Sequence, residues 1–262
     1  MADYALANMS TTQYMSISEL ASARNVAEAT VSRFSRRLGY KGYNTFKLAV
    51  SRASIQHKPL GNPLSGEITE DDSIQDLSRK LYSAEVEAIS QTMNLIDPET
   101  ISRASALLEG ARQVLCMGQG GSMLIANEAA HLFSTVSNKF RAVADSHLQA
   151  MAATMMEAED VLVFFSYSGS TRAMMETLKL ARQRGGKVIL VTRFPKSPGA
   201  EAADVVLQCG ANESPLQSGS VAARIAQMYL LDVLFSDFSR KNMAQCRASR
   251  ARIADALADK HL

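Results

Sequence analysis

The sequence predicts an α/β protein in which a small all-α domain precedes a doubly wound parallel sheet with helices on both faces. Three observations carry that prediction. Short apolar runs suited to buried strands alternate with helical patterns after residue 110, the order of a parallel sheet. Two of those runs empty into loops of glycine and serine at the start of a helix. The first 58 residues carry eight basic side chains against three acidic ones, whereas the other 204 carry 20 against 23, so a small basic unit is joined to a larger, mildly acidic one.

The basic unit opens on a helix start. In Ser16-Ile17-Ser18-Glu19-Leu20-Ala21, Ser16 and Glu19 have the spacing of a capping box, and Ile17, Leu20 and Ala21 form an apolar face. The helix is expected to end near Arg24-Asn25, where Asn25 takes the left-handed conformation of a tight turn and Val26 plugs the gap between two helices. A second helix begins near Ala27-Glu28, with Ala29, Val31, Phe34 and Leu38 facing inward. Gly39 ends it, and Tyr40, Tyr43 and Phe46 give so short a helix something to pack on. This is helix-turn-helix spacing, in which the second helix enters the major groove of double-stranded DNA. The candidate DNA-binding residues are Glu28, Ala29, Thr30, Ser32, Arg33, Arg36, Arg37 and Lys41, the early ones at base edges and the later arginines and Lys41 at phosphates.

Residues 55–75, with Pro59, Gly61, Pro63 and Gly66 ahead of Glu70-Asp71-Asp72, read as a linker. From Ser73 to Leu95 the pattern turns helical. Val114-Leu115-Cys116-Met117 reads as the first strand, leading through Gly118-Gln119-Gly120-Gly121-Ser122 into a helical stretch that reaches Phe133. Phe140–Val143, Val161–Phe165, Lys187–Thr192 and Val205–Gln208 read as the next four strands. A helix from Val221 to Phe238, apolar at Ile225, Met228, Leu231, Leu234 and Phe235, is expected in the core or at a subunit contact. From Arg240 to Leu262, Arg247, Arg250 and Arg252 alternate with small apolar residues, the pattern of a surface helix.

Function is read from the loops. Val161–Phe165 runs straight into Ser166-Tyr167-Ser168-Gly169-Ser170-Thr171 and then into a helical pattern from Arg172 to Gln183. Hydroxyls and a glycine at a helix N-terminus gather side-chain donors, free N–H groups and the positive end of the helix dipole around one point, where a phosphate binds. The competing reading is an ordinary N-cap, but four hydroxyls in six positions exceed what one cap needs. No basic residue precedes the helix, and no Walker loop is present, which favours a phosphorylated sugar or polyol over a nucleoside triphosphate. A dinucleotide reading fails because Met123 holds the sixth position of the glycine motif and no acidic residue ends the second strand. Glu213 in Glu213-Ser214-Pro215-Leu216-Gln217-Ser218-Gly219-Ser220 is either a sugar ligand or base, or a solvent-facing carboxylate. His131 and His147 are open to acid–base roles, with structural roles preferred.

The series Glu28-Ala29-Thr30-Val31-Ser32-Arg33-Phe34, Arg37-Leu38-Gly39-Tyr40-Lys41-Gly42-Tyr43 and Phe46-Lys47 resembles the DNA-binding domain of RpiR-family bacterial transcription regulators. Residues from about Ser102 to Phe238 resemble the sugar isomerase (SIS) domain that these regulators carry, with Ser166–Thr171 matching its phosphosugar loop. The resemblance covers most of the chain in the family's order. It implies a helix-turn-helix domain over 1–54, the linker over 55–75, and a SIS domain with flanking helices over 76–262, its core at about 102–240. Against the family pattern the first helix is shortened, and Asn25 stands where glycine is common. By resemblance the ligand residues are Gly120, Gly121, Ser122, Ser166, Ser168, Gly169, Ser170, Thr171, Glu213, Ser218 and Ser220, the last cluster closing the site from the same or a neighbouring subunit.

The expectation is a sugar-phosphate-responsive regulator of transcription, acting as a homodimer or larger assembly on genes of carbohydrate metabolism. The rival is a sugar-phosphate isomerase or related enzyme. No catalytic residue, cofactor or metal is expected: Cys116, Cys209 and Cys246 lack zinc or redox spacing, and Cys116 sits in an apolar run. With no apolar run long enough for a bilayer and no export signal, a soluble cytoplasmic protein is expected.

Overall fold

A computed structural model describes residues 1–56, 68–212 and 220–258. Most of the linker expectation, and Glu213 and Ser218 of the site, lie outside the described residues. The chain divides into two compact units, one built on Met1–Glu87 and the other on Ala88–Ala211 with Ala222–Leu262.

The first unit contains helices α1 (Ala2–Ala7), α2 (Met9–Thr12), α3 (Ile17–Ala23), α4 (Glu28–Arg37) and α5 (Tyr43–Gln56). The capping box at α3 is present in both directions, Glu19 N–H to Ser16 Oγ at 3.1 Å and Ser16 N–H to the Glu19 carboxylate at 2.7 Å. The turn after α3 is a Schellman end: Asn25 has φ 51°, its N–H reaches Ser22 O, and the Val26 N–H reaches Ala21 O. The end of α4 repeats the device with Gly39 at φ 89° and Tyr40 N–H on Ser35 O. These two turns fix α3 and α4 around a core of Leu20, Ala21, Val31, Tyr43, Phe46 and Val50, with Phe34 and Tyr40 edge-on to Phe46. The Tyr43 hydroxyl donates to Met15 O at 3.0 Å, and burial, aided by Glu19, pushes its phenol well above the ordinary range.

Two inward assignments on α4 are corrected. Ala29 is exposed because it lies about 200° around the helix from Val31, and Ser35 is buried in its place. Leu38 is in phase with Val31 but is 51% exposed, since the helix has ended and the chain is already turning toward Gly39.

Helix α6 (Ile74–Leu95) leads to the second unit, followed by α7 (Pro98–Gly110), β1 (Val114–Gly118), α8 (Gly121–Ser134), β2 (Phe140–Val143), α9 (Ser146–Thr154), β3 (Val161–Phe165), α10 (Arg172–Gln183), β4 (Lys187–Thr192), α11 (Pro198–Ala202), β5 (Val205–Gln208), α12 (Val221–Lys241) and α13 (Met243–Ala258). The five strands form one parallel sheet in the order β2-β1-β3-β4-β5, with the order reversing next to β1. Period-2 alternation splits the strand residues between two cores. Val114, Cys116, Val161, Val163, Phe165, Ile189 and Val191 face the core built with α7, α8 and α12. Leu115, Met117, Leu162, Phe164, Val188 and Leu190 face the core built with α10. Burial pushes the Cys116 thiol up to about 12, so it stays protonated and serves as a small apolar side chain. Met228 of α12, expected inward, is 39% exposed: the buried stripe there runs through Ala223, Ala226, Gln227, Leu230 and Leu234, and a strict step of three drifts off it. No helix among the described residues is long and apolar enough to cross a membrane.

Asp160 staples the edge of the sheet opposite the strand C-termini. Its buried carboxylate accepts from Arg112 at 2.7 Å and 3.0 Å, from Gln113 at 2.9 Å and from the Glu157 N–H at 2.8 Å, joining the segments that enter β1 and β3. Burial alone would raise the pKa, but these donors outweigh it and the carboxyl titrates below its ordinary range. Asp160→Asn is expected to cost about 1–3 kcal/mol, read as a lower urea midpoint at unchanged slope. The wild-type contribution is complete above about pH 3.9, the unfolded value, and is lost as pH falls through the lower folded pKa, so the two proteins' midpoints converge on acidification.

Candidate functional site

In a parallel sheet every loop that follows a strand leaves from the same edge. Gly118 at the end of β1 pairs with Phe165 at the end of β3, so Gln119–Ser122 and Ser166–Thr171 leave adjacent strands at one level, and the helices that they start, α8 and α10, begin at the same edge of the sheet. The expected residues Gly120, Gly121, Ser122, Ser166, Ser168, Gly169, Ser170 and Thr171 are therefore brought to one edge.

Each loop depends on a backbone that only glycine adopts easily. Gly120 has φ 55° and ψ −127°. Gly169 has φ 58°, and a Cβ there would lie 2.1 Å from Ser197 Oγ. The serine loop is folded by its own first hydroxyl: the Gly169 N–H donates to Ser166 Oγ at 3.2 Å, and Ser166 is buried. It is held from β4 and α11 by three bonds: Thr192 Oγ1 to Tyr167 O at 3.1 Å, Arg193 N–H to Tyr167 O at 3.1 Å, and Gly199 N–H to Gly169 O at 2.9 Å. Gly118 carries no Cβ because the start of α8 crosses it, with Ser122 O 2.6 Å from where that Cβ would sit.

The hydroxyls divide by use. Ser166 serves the loop, while those of Ser122, Ser168, Ser170 and Thr171 make no hydrogen bond to another described residue. Three other helix starts in the unit are capped by side chains, Asp97 at α7, Asp145 at α9 and Ser197 at α11. Gly120 at α8 and Thr171 at α10 supply no such cap. Two helix N-termini at one edge of the sheet thus lack side-chain caps and leave backbone N–H groups of the kind that can meet an anion. Gln119 Nε2 in the glycine loop is also buried without a partner among the described residues.

Several contributors lie beyond the motifs. Gln149 of α9 is fully buried, and its Nε2 donates to Gly118 O at 2.9 Å and Val143 O at 2.8 Å, tying the ends of β1 and β2. Arg193, just after β4, brings the cation that the serine loop lacks; its Nε donates to Ala211 O at 3.3 Å, and the Tyr167 hydroxyl donates to the same oxygen at 3.1 Å. A basic residue directly after an apolar strand was the available signal for Arg193; Gln149 gave none. Ser220 is half-buried just before α12. His131 is exposed in the last turn of α8, roughly 15 Å of helix from Gly121. His147 is exposed in the first turn of α9, its N–H held by Asp145. No group of three or more His, Cys, Asp or Glu side chains is placed to hold a metal ion among the described residues.

In the first unit, Glu28, Ala29, Arg33, Arg36, Arg37 and Lys41 are exposed on or after α4, while Thr30 and Ser32 are half-buried. Glu28 accepts from the Ser18 hydroxyl, tying the start of α4 to α3, and Arg33 reaches Thr30 Oγ1 at 3.3 Å. The first turn of α4 has no side-chain cap.

Comparison with known proteins addresses both units. Residues 1–57 match the family model of the helix-turn-helix domain, rpiR family, and residues 107–237 match that of the SIS domain. An uncharacterized HTH-type transcriptional regulator of Caldanaerobacter subterraneus subsp. tengcongensis is 32% identical over 237 residues, covering 90% of this chain and 82% of that one. The HTH-type transcriptional regulator HexR of Pseudomonas aeruginosa is 31% identical over 257 residues, 98% of this chain and 89% of its own. The structure of Vibrio vulnificus NanR complexed with ManNAc-6P superposes with a TM-score of 0.83 at 27% identity, covering 98% of this chain and 91% of that one.

Adding a methyl group at either special glycine tests the loop geometry. Gly169→Ala combines strain with collision and is expected to cost about 1–3 kcal/mol or more. Gly120→Ala meets nothing within 4 Å and carries the conformational cost alone. Thermal midpoints should therefore fall further for Gly169→Ala; equal losses would contradict the contact with Ser197.

Proposed function

The chain belongs to the RpiR family of helix-turn-helix transcription regulators with a SIS domain, and from that premise we propose that it is a sensor whose DNA binding is modulated by a phosphorylated sugar. The observation that carries the sugar-phosphate part is the pair of uncapped helix starts at α8 and α10, with four unengaged hydroxyls around them. The phosphate sits on Ser122, Ser168, Ser170, Thr171 and the amides of Gly120 and Gly121, with Ser166 and Gly169 shaping the loop and Ser220, Glu213 and Ser218 on the sugar side. A ManNAc-6P complex of a protein similar over nearly the full chain supports a phosphosugar as the class of effector.

DNA is read by α4, with Glu28, Ala29, Thr30 and Ser32 at base edges and Arg33, Arg36, Arg37 and Lys41 on phosphates. The DNA-binding domain takes residues 1–54, the linker 55–75 and the effector-binding part 76–262. The protein acts in the cytoplasm as a homo-oligomer, because two heads on half-sites roughly 34 Å apart supply affinity that one small head lacks. Sugar binding changes DNA affinity by about 5–150-fold, a coupling of about 1–3 kcal/mol.

Fluorescence anisotropy on a duplex selected by the purified protein, with and without hexose, N-acetylhexosamine and pentose phosphates, tests the proposal. Ser168→Ala combined with Thr171→Ala should abolish the sugar response and keep DNA binding; a retained response removes the assigned site. Arg33→Ala and Arg36→Ala should each weaken DNA binding and lower the salt slope by about 1. Unchanged affinity in both would take α4 off the DNA.

A further inference from the structure

We infer that Gln91 and Thr92 of α6 are the positioning residues through which an occupied sugar-phosphate site acts on α6, and through it on the DNA-binding head; this rests on the function just proposed. The carbonyl of Ala211, where the chain leaves β5, is the meeting point. It accepts from the Tyr167 hydroxyl of the serine loop at 3.1 Å and from Arg193 Nε at 3.3 Å. The amide of the same residue donates to Gln91 Oε1 at 3.1 Å, and the preceding Gly210 N–H donates to Thr92 Oγ1 at 2.9 Å. One residue thus faces the effector loop with its carbonyl and α6 with its amide.

Three further features make this a joint rather than a chance contact. Ala211 has φ 75°, a left-handed conformation that costs a non-glycine residue about 1–3 kcal/mol and persists only when its surroundings hold it. Gly210 lets the α6 backbone approach directly, since a Cβ there would meet Thr92 N at 2.7 Å and Gln91 Cβ at 2.5 Å. The only buried residues of α6 are Ala88 and Thr92, so the helix is gripped near this joint, while residues 74–87, which run back to the linker, have none buried. The amide and carbonyl of Ala211 lie in successive peptide planes hinged at its Cα. A phosphosugar that draws Tyr167 or Arg193 toward itself releases the carbonyl, and rotation at Ala211 shifts the N–H donors that Gln91 and Thr92 must follow.

The test uses the full-length protein, the selected duplex, and ManNAc-6P, glucose 6-phosphate and 6-phosphogluconate as probes. Gln91→Leu should bind DNA and the effective probe as wild type does but lose the probe-induced change in DNA affinity. Gln91→Glu keeps an acceptor oxygen and should restore the change. Gly210→Ala, which pushes α6 away by backbone collision, should lose the change as well. Hydrogen exchange should show probe-dependent protection at residues 88–95 in the wild type and none in Gln91→Leu. A full response in both Gln91→Leu and Gly210→Ala overturns the coupling while leaving the sensor intact. If no sugar phosphate binds the wild type, the proposed function falls, and the inference with it.

Discussion

Burial of β1 and β3 on both faces is the constraint from which the effector unit follows. A strand buried at every position, as Val114–Gly118 and Val161–Phe165 are, must be covered on both faces, here by helices above and below, which goes with helical crossovers and parallel strands. Parallel strands deliver all of their following loops to one edge, so the glycine loop after β1 and the serine loop after β3 meet without any contact being specified for that purpose. Asp160 holds the opposite edge, and Gln149 and Ala211 tie the one at the strand C-termini. Geometry at the loops is thus inherited from apolar packing several residues away.

The head is built on a different economy. Its core is small, and Schellman ends at Asn25 and Gly39 set the angles among its short helices as much as packing does. What remains outside that core is a helix with three exposed arginines and an open N-terminal turn. Such a surface is specified locally, by residues within one turn of one another, which is why it could be located in the sequence.

Legibility followed the range of the interactions. All five strands, α4, α10, the capping box and the left-handed Asn25 rest on neighbours within a few positions and were legible. Leu38 and Met228 were misplaced because helical phase alone does not say where a helix stops or which of two adjacent stripes the core selects, whereas Ala29 was placed inward against the phase set by Val31. Short α11 carries too few residues for a periodic signal. Arg193 was signalled only by its place directly after an apolar strand, and Gln149, Gln91 and Thr92 not at all, since the partners of Gln91 and Thr92 lie 120 and 118 residues away. A glutamine that bonds one backbone group at such a separation leaves no pattern in the chain.

The uncapped starts of α8 and α10 also bear on what would compete at the proposed site. Backbone amides at a helix N-terminus favour any tetrahedral oxyanion and hardly distinguish a phosphate monoester from inorganic phosphate or sulfate. In the proposed site the phosphate contacts would therefore supply attraction without identity, and discrimination would come from the groups that meet the sugar. At the proposed site free phosphate is expected to compete with the effector, so the effector concentration needed for a response would rise with the ambient phosphate level.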